Sequence, residues 1–122
     1  MKRQLQVLIV EDDFLIAWAL AETVKSLGHA ICGVAANEAD AVDFACSRHP
    51  DLMIVDAGLN EGDGVSAVAA ILSEQHTPCI FVTGNPEAVR ASFPAASILQ
   101  KPYLVPELIS AIEHAVAVNA AR

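Results

Sequence analysis

Acidic side chains follow two of the short apolar runs in this 122-residue sequence. Glu11, Asp12 and Asp13 come directly after the run that ends at Val10, and Asp56 comes directly after another. Carboxylates that lie close together repel one another, and one of them takes up a proton unless a cation shares the site. Carboxylate and carbonyl oxygens with water are the ligands that Mg²⁺ prefers. These residues therefore predict a Mg²⁺ site if the fold joins the two segments.

Two further side chains, Thr83 and Lys101, follow apolar runs in the same way. Beside a metal ion, an oxygen of Asp56 is a candidate nucleophile toward an activated phosphoryl group, and the product would be an acyl phosphate. Thr83 would donate a hydrogen bond to one phosphoryl oxygen, and Lys101 would place a positive charge against another. Each residue type alone is also common as a helix-end charge or a turn residue. The prediction therefore depends on their convergence.

The elements that must position these residues alternate along the chain as short apolar runs and helical patterns. The runs lack polar alternation, which is typical of strands covered on both faces. Five strands separated by helices predict a doubly wound, flavodoxin-like α/β fold with a five-stranded parallel sheet in the order 2-1-3-4-5. Strands 1 and 3 are neighbours in that order, so their acidic ends would meet. The predicted strands are residues 5–10, 30–35, 52–55, 79–82 and 97–99.

Helix signals fill the intervening segments. Asn37 and Asp63 are predicted N-caps of the second and third helices, and Pro106 opens the last. Segment 86–93 is bracketed by prolines, so we expect a short or irregular fourth helix there. The residues predicted to face the core are Ile16, Leu20, Val24 and Leu27; Ala39, Val42 and Cys46; Val65, Val68, Ala69 and Leu72; and Leu108, Ile109, Ile112 and Val116.

Composition excludes several classes of function. With 54% hydrophobic and 18% charged residues, we expect one folded domain over residues 1–122, without an attached effector domain. Seven Lys and Arg against fifteen Asp and Glu give a net charge of −8, which argues against nucleic-acid binding. Apolar stretches fall short of the roughly 20 residues that a membrane span needs. The pattern therefore predicts a cytoplasmic protein that binds neither nucleic acid nor membrane.

Cysteine, histidine and aromatic residues offer no rival site. Cys32, Cys46 and Cys79 are widely spaced among apolar neighbours, so we expect reduced thiols in the core. The four histidines lack metal-ligand spacing and are expected in solvated or capping positions. Phe14 and Trp18 are predicted to pack beside the acidic loop.

The motifs together resemble those of response-regulator receiver domains over essentially the whole chain. Segment 8–13 resembles the acidic strand end of that family, and segment 56–64 resembles its phosphoacceptor loop. Val82-Thr83-Gly84 and Lys101-Pro102-Tyr103 resemble the other two motifs, and the resemblance implies that the 101–102 peptide bond is cis. It also implies the following roles: phosphorylation of Asp56; Mg²⁺ bound directly by Asp12 and Asp56, through water by Glu11 and by the Gly58 carbonyl; and phosphoryl binding by Thr83 and Lys101.

Several positions depart from the family pattern. Ile98 stands where most receivers carry the Tyr or Phe that turns inward on activation, and Asn60 replaces a common proline. The segment between Thr83 and Lys101 is short, so we expect a reduced fourth-helix surface; these features loosely resemble an atypical subclass with a Phe-Ala-Thr-Gly motif. Gly58 and Asn85 would flank the path of water to the phosphoryl group and tune its lifetime.

The resemblance implies a phosphorylation-dependent signalling module rather than an enzyme. A sensor histidine kinase or a histidine phosphotransfer protein would supply the phosphoryl group, and an unknown protein would receive the signal. The alternative is a phosphorylation-independent binding scaffold with the same fold. Apolar residues on the last helix leave a homodimer open. A flavin-binding or phosphohydrolase enzyme is disfavoured, because no Gly-rich cradle follows strand 1 and no second Asp follows Asp56 by two residues.

Overall fold

A five-stranded parallel sheet forms the centre of the computed structural model, which describes residues 4–59 and 62–120. The strand order is β2-β1-β3-β4-β5, which confirms the predicted fold class. The predicted strands differ from the observed ones by no more than one residue at either end. The elements are β1 Gln6–Val10, α1 Phe14–Ser26, β2 Ala30–Ala35, α2 Glu38–Arg48, β3 Leu52–Asp56, α3 Gly64–Leu72, β4 Cys79–Thr83, α4 Pro86–Ser92, β5 Ser97–Gln100 and α5 Val105–Ala120.

The core consists of two apolar clusters, one on each face of the sheet. Alternate strand residues enter opposite clusters, because successive side chains of a strand point to opposite faces. Val7 and Ile9 pack with α1 and α5 on one face, whereas Leu8 and Val10 pack with α2, α3 and α4 on the other. All five residues of β3 are buried. This two-sided cover explains the continuous apolar runs in the sequence.

The buried faces of the first three helices differ from the predicted ones by about one residue. Ile16, Ala39, Cys46, Ala69 and Leu72 are exposed instead of buried. Alanines occupy much of the observed contact face because their small side chains let the helix backbone approach the sheet closely. The buried residues are Ala17, Leu20, Ala21 and Val24 on α1; Ala41 and Ala45 on α2; and Gly64, Ala67, Val68 and Ile71 on α3.

Two further predictions about packing are wrong. Phe14 and Trp18 lie on the outer side of α1 with 81% and 59% of their surface exposed, so they do not pack into the core. Among the cysteines predicted in the core, Cys46 is exposed, whereas Cys32 and Cys79 are half-buried and pack against a core cluster. All three thiols are free, as predicted.

The fourth helix is short, as the bracketing prolines predicted. It covers only Pro86–Ser92, and Asn85 caps it by accepting a hydrogen bond from the Ala88 N–H at 3.4 Å. Phe93 then turns back onto the core, with its ring centroid 5.4 Å from that of Phe81. None of the helices in the described ranges combines the length and apolar character that crossing a bilayer requires.

The start of α3 passes very close to the end of β3. The predicted N-cap Asp63 accepts a hydrogen bond from the Val65 N–H at 2.8 Å, and the Gly64 N–H donates to the Ala57 carbonyl at 3.0 Å. A Cβ atom on Gly64 would collide with the Asp56 carbonyl oxygen and lie 2.9 Å from the Ala57 Cα. Glycine at residue 64 therefore brings the helix against the strand end that carries Asp56.

Gly64→Ala should lower the free energy of unfolding by about 1–3 kcal/mol, since the added methyl group meets backbone that cannot move aside. Elsewhere in a helix, replacing glycine by alanine raises the free energy of unfolding, so a decrease at residue 64 would be opposite to the usual effect. Urea denaturation measures the effect. Gly58→Ala is the control, because a Cβ at residue 58 has no neighbour within 4 Å. Equal stability of the two variants would contradict the close approach.

Candidate metal and phosphoryl site

The strand register brings the predicted site residues to one edge of the sheet. Val10 pairs with Val55, so Glu11 and Asp56 follow neighbouring positions on β1 and β3. Asp56 in turn pairs with Val82, and Thr83 with Gln100, the residue before Lys101. The carboxyl ends of parallel strands are where ligands bind in doubly wound folds. Chain segments far apart in sequence therefore meet here.

Three carboxylates converge at this edge. Glu11, Asp12 and Asp56 each place an oxygen so that the three atoms lie within 4.8 Å of one another. Glu11 and Asp56 are buried, with only 3% and 7% of their surface exposed. The third acidic residue of the motif, Asp13, is outside this group and caps α1 by accepting hydrogen bonds from the N–H groups of Leu15 and Ile16. The acidic motif thus supplies both carboxylates of the group and the N-cap of α1.

Burial, side-chain hydrogen bonds to the neighbouring carboxyl groups and the negative charge of Asp56 raise the pKa of Glu11 to about 7. Desolvation is the largest cause, and Asp12 and Asp56 add to it, whereas a hydrogen bond from the Asp13 N–H at 3.0 Å opposes it. Removing a carboxylate from water favours its neutral form. The group of carboxylates therefore has an electrostatic cost that a divalent cation would relieve, and its oxygens are of the type that Mg²⁺ takes. The residues present fit a Mg²⁺ ion.

A cation from the protein itself lies beside Asp56. The Lys101 Nζ lies 3.1 Å from the Asp56 Oδ2, and the Lys101 N–H donates to the Thr83 carbonyl at 2.8 Å. The lysine follows β5, and its peptide bond to Pro102 is cis, as the resemblance implied. One ammonium group offsets only part of the charge of three carboxylates, so Lys101 does not replace a divalent ion.

Thr83 lies buried at the end of β4, close to the turn that begins α4. Its Oγ1 accepts a hydrogen bond from the Asn85 N–H at 2.9 Å, which leaves the hydroxyl proton for another acceptor. The side chain of Asn85 is itself used as the cap of α4. Ile98, at the position expected for an aromatic residue, is half-buried against the cluster that contains Phe81.

Gly58 lines the same cleft as the three carboxylates. Its N–H donates to the Asp56 Oδ1 at 3.0 Å, and it pairs with Asp63 in an antiparallel bridge. In extended backbone the N–H and C=O of one residue point to the same edge. The Gly58 carbonyl therefore shares the edge that faces Asp56. Asn60, which departs from the family pattern, is outside the described residues.

The histidines form no competing centre in the described part of the chain, where the carboxylate group is the one metal-ligand cluster found. His29 accepts a hydrogen bond from the Leu5 N–H at 3.0 Å through Nδ1, and His49 ends α2 with φ 47°. A different residue was missed by the sequence reasoning: Glu38, whose Oε1 accepts a hydrogen bond from the Asp63 N–H at 2.9 Å. Its partner lies 25 residues away, so no local pattern reveals the contact.

Comparison with known proteins identifies the family of this chain. The family model for the response regulator receiver domain matches residues 7–113. The transcriptional regulatory protein PdtaR of Mycobacterium tuberculosis is 35% identical over 92% of this chain, and the phyllosphere-induced regulator PhyR of Methylorubrum extorquens is 40% identical over 67% of it. The matched parts make up 57% and 32% of those proteins, so this chain spans at most about half of either relative.

A solved structure has the same fold. The receiver domain of PhyR from Erythrobacter litoralis superimposes with a TM-score of 0.85 at 32% identity, covering 93% of this chain and 91% of that one. Sequence motifs, strand order and family match thus agree. The chain belongs to the response-regulator receiver family.

Proposed function

We propose that this receiver domain accepts a phosphoryl group on Asp56 in a Mg²⁺-dependent reaction and signals through protein contacts. The observation that carries the proposal is the convergence of the Glu11, Asp12 and Asp56 oxygens within 4.8 Å of one another, with Lys101 beside Asp56. The donor would be a phosphohistidine on a sensor kinase or on a phosphotransfer protein. We propose residues 1–122 as one receiver domain that acts in the cytoplasm.

The chemistry follows from the positions of the side chains. An Asp56 carboxylate oxygen forms a bond to phosphorus while the phosphorus–nitrogen bond of the donor breaks, and the leaving imidazole takes up a proton. Asp12, Asp56 and the Gly58 carbonyl would hold Mg²⁺ directly and Glu11 through water; the ion, when bound, neutralises charge on the transferring group. Lys101 then turns from Asp56 to a phosphoryl oxygen, and the Thr83 hydroxyl donates to another.

The signal would leave through the turn between β4 and α4. When the Thr83 hydroxyl moves toward the phosphoryl group, its contact with the Asn85 N–H must change, and Asn85 begins α4. Ile98 has no hydroxyl or ring to report this movement, so the backbone of the turn carries it. The downstream partner is a protein of unknown identity, and no substrate turnover is proposed.

The scaffold alternative is favoured by two observations: Ile98 at the position of the usual switch aromatic, and a fourth helix limited to Pro86–Ser92. A scaffold function, however, does not require the buried carboxylates, and burying a charge without a partner is costly in free energy. Exposure to a small phosphodonor separates the two functions.

Wild-type protein incubated with acetyl phosphate and Mg²⁺ should gain one phosphoryl group, detected by intact-mass spectrometry. Asp56→Asn should gain none, because an amide oxygen is a poor nucleophile. Thr83→Ala should retain Asp56 phosphorylation at a reduced rate. Asp51→Asn is the control for an aspartate outside the site. A wild-type mass that stays unchanged would favour the scaffold function.

Saturating Mg²⁺ should raise the melting temperature of the wild type, because a ligand at 100 times its Kd stabilises the folded state by about 2.7 kcal/mol. Asp12→Asn should abolish this rise. Without metal, Asp12→Asn should be at least as stable as the wild type, because it removes the charge of one of three carboxylates whose oxygens lie within 4.8 Å of one another. Asp43→Asn, an exposed change on α2, should keep the full response. If metal-free Asp12→Asn is less stable than the metal-free wild type, the result would contradict mutual repulsion among the three carboxylates.

Gly58→Met should slow hydrolysis of the acyl phosphate several-fold and leave Mg²⁺ affinity nearly unchanged. The side chain enters open space beside the site, whereas the proposed metal ligand is the backbone carbonyl. Phosphate release after removal of the donor gives the rate. Gly84→Ala is the control, since residue 84 also has open space around a Cβ. Identical release from Gly58→Met and the wild type would refute the effect.

A further inference from the structure

The phosphoacceptor loop is closed by a short antiparallel pair that has two different edges. Gly58 pairs with Asp63, and the flanking Gly64 N–H donates to the Ala57 carbonyl at 3.0 Å. In a pair flanked in this way, the N–H and C=O groups of the two paired residues point outward. The Gly58 edge therefore faces the Asp56 carboxylate, and the Asp63 edge faces the opposite side.

The opposite edge is held by a second carboxylate. Glu38 lies half-buried in the first turn of α2, and its Oε1 accepts a hydrogen bond from the Asp63 N–H at 2.9 Å. The neighbouring Gly62 has φ +86°, and a Cβ on it would lie 2.5 Å from the Glu38 Cβ. Glu38 thus occupies a close-fitting position against the loop. Asp56 and Glu38 therefore accept hydrogen bonds from opposite edges of the Gly58–Asp63 pair.

We propose that Glu38 is a positioning residue for the metal site. By fixing the Asp63 edge of the loop to α2, it holds the paired Gly58 carbonyl where the ion is bound. The inference rests on the proposed function, in which that carbonyl is a Mg²⁺ ligand. It adds α2, an element that contributes no ligand, to the parts of the chain that determine metal affinity.

Within the described residues of the loop, the other hydrogen bonds do not replace this contact. The Asp63 carboxylate accepts from the Val65 N–H and is used as the cap of α3, and the Gly64 bond fixes the loop to β3. The Glu38 bond is charge-assisted, which makes it stronger than a neutral one. When the bond to Glu38 is lost, the Asp63 N–H donates to water instead, and the Gly58–Asp63 pair is no longer held to α2. Partners that orient metal ligands typically contribute 10–100-fold to affinity.

Glu38→Ala should therefore weaken Mg²⁺ binding by about tenfold or more, measured by isothermal titration calorimetry on the full chain. Glu38→Gln keeps an oxygen acceptor at the same place and should bind Mg²⁺ within about threefold of the wild type. Mn²⁺ broadening of the Gly58 amide signal in an NMR spectrum gives a second measure of position. This signal should be broadened in wild type and Glu38→Gln, but much less in Glu38→Ala at the same occupancy.

Asp43→Ala is the charge control, because it removes an exposed carboxylate from the same helix without touching the loop. If Glu38→Gln binds Mg²⁺ as weakly as Glu38→Ala, the residue acts through its charge, and the positioning role is overturned. Unchanged binding by Glu38→Ala overturns it as well.

Asp12→Asn distinguishes failure of this inference from failure of the proposed function. Loss of Mg²⁺ binding in Asp12→Asn together with normal binding in Glu38→Ala would leave the metal site standing and remove only the role of Glu38. Normal binding in both variants would remove the metal site itself and, with it, this inference.

Discussion

Repulsion among three carboxylates is the constraint on which the structure of this site depends. β1 and β3 are neighbours in the sheet, so Glu11 and Asp12, which follow β1, lie close to Asp56, which ends β3. Two unit charges 4 Å apart near a protein surface cost about 4 kcal/mol. Three such pairs approach the whole net stability of a small domain, roughly 5–15 kcal/mol. A proton on Glu11, the Lys101 ammonium or a divalent ion must relieve this cost.

In the proposed function, the same cost would let the site act as a switch. Lys101 lies against Asp56, and it would move to a phosphoryl oxygen once that group is bound, so that one cation would serve both states. The loop that carries Gly58 is fixed on both sides, by Gly64 packed against β3 and by Glu38 on α2. In the proposed function, a change of charge at Asp56 would therefore be passed on through Thr83 to the turn that begins α4, which contacts the Thr83 Oγ1 through the Asn85 N–H.

Sequence reasoning predicted the parts that depend on local pattern and failed where packing decides. Strand runs, the caps Asn37 and Asp63, and the short fourth helix follow from periodicity and turn chemistry, and the strand order brought the site residues together. The predicted helix faces differ from the observed ones because hydrophobicity favours Ile16 over Ala17 as the buried residue. In the structure Ala17 is buried and Ile16 is exposed. Glu38 was missed because its hydrogen bond joins residues far apart in sequence.

A crystal structure grown with Mg²⁺ and beryllofluoride, a mimic of the phosphoryl group, would show whether the carboxylates share an ion. We expect one Mg²⁺ ion held by Asp12, Asp56 and the Gly58 carbonyl, with the beryllofluoride on the Asp56 carboxylate. We also expect that Lys101 has moved from the carboxylate to a fluorine atom. Carboxylates that keep their present contacts, with no ion between them at saturating Mg²⁺, would contradict it.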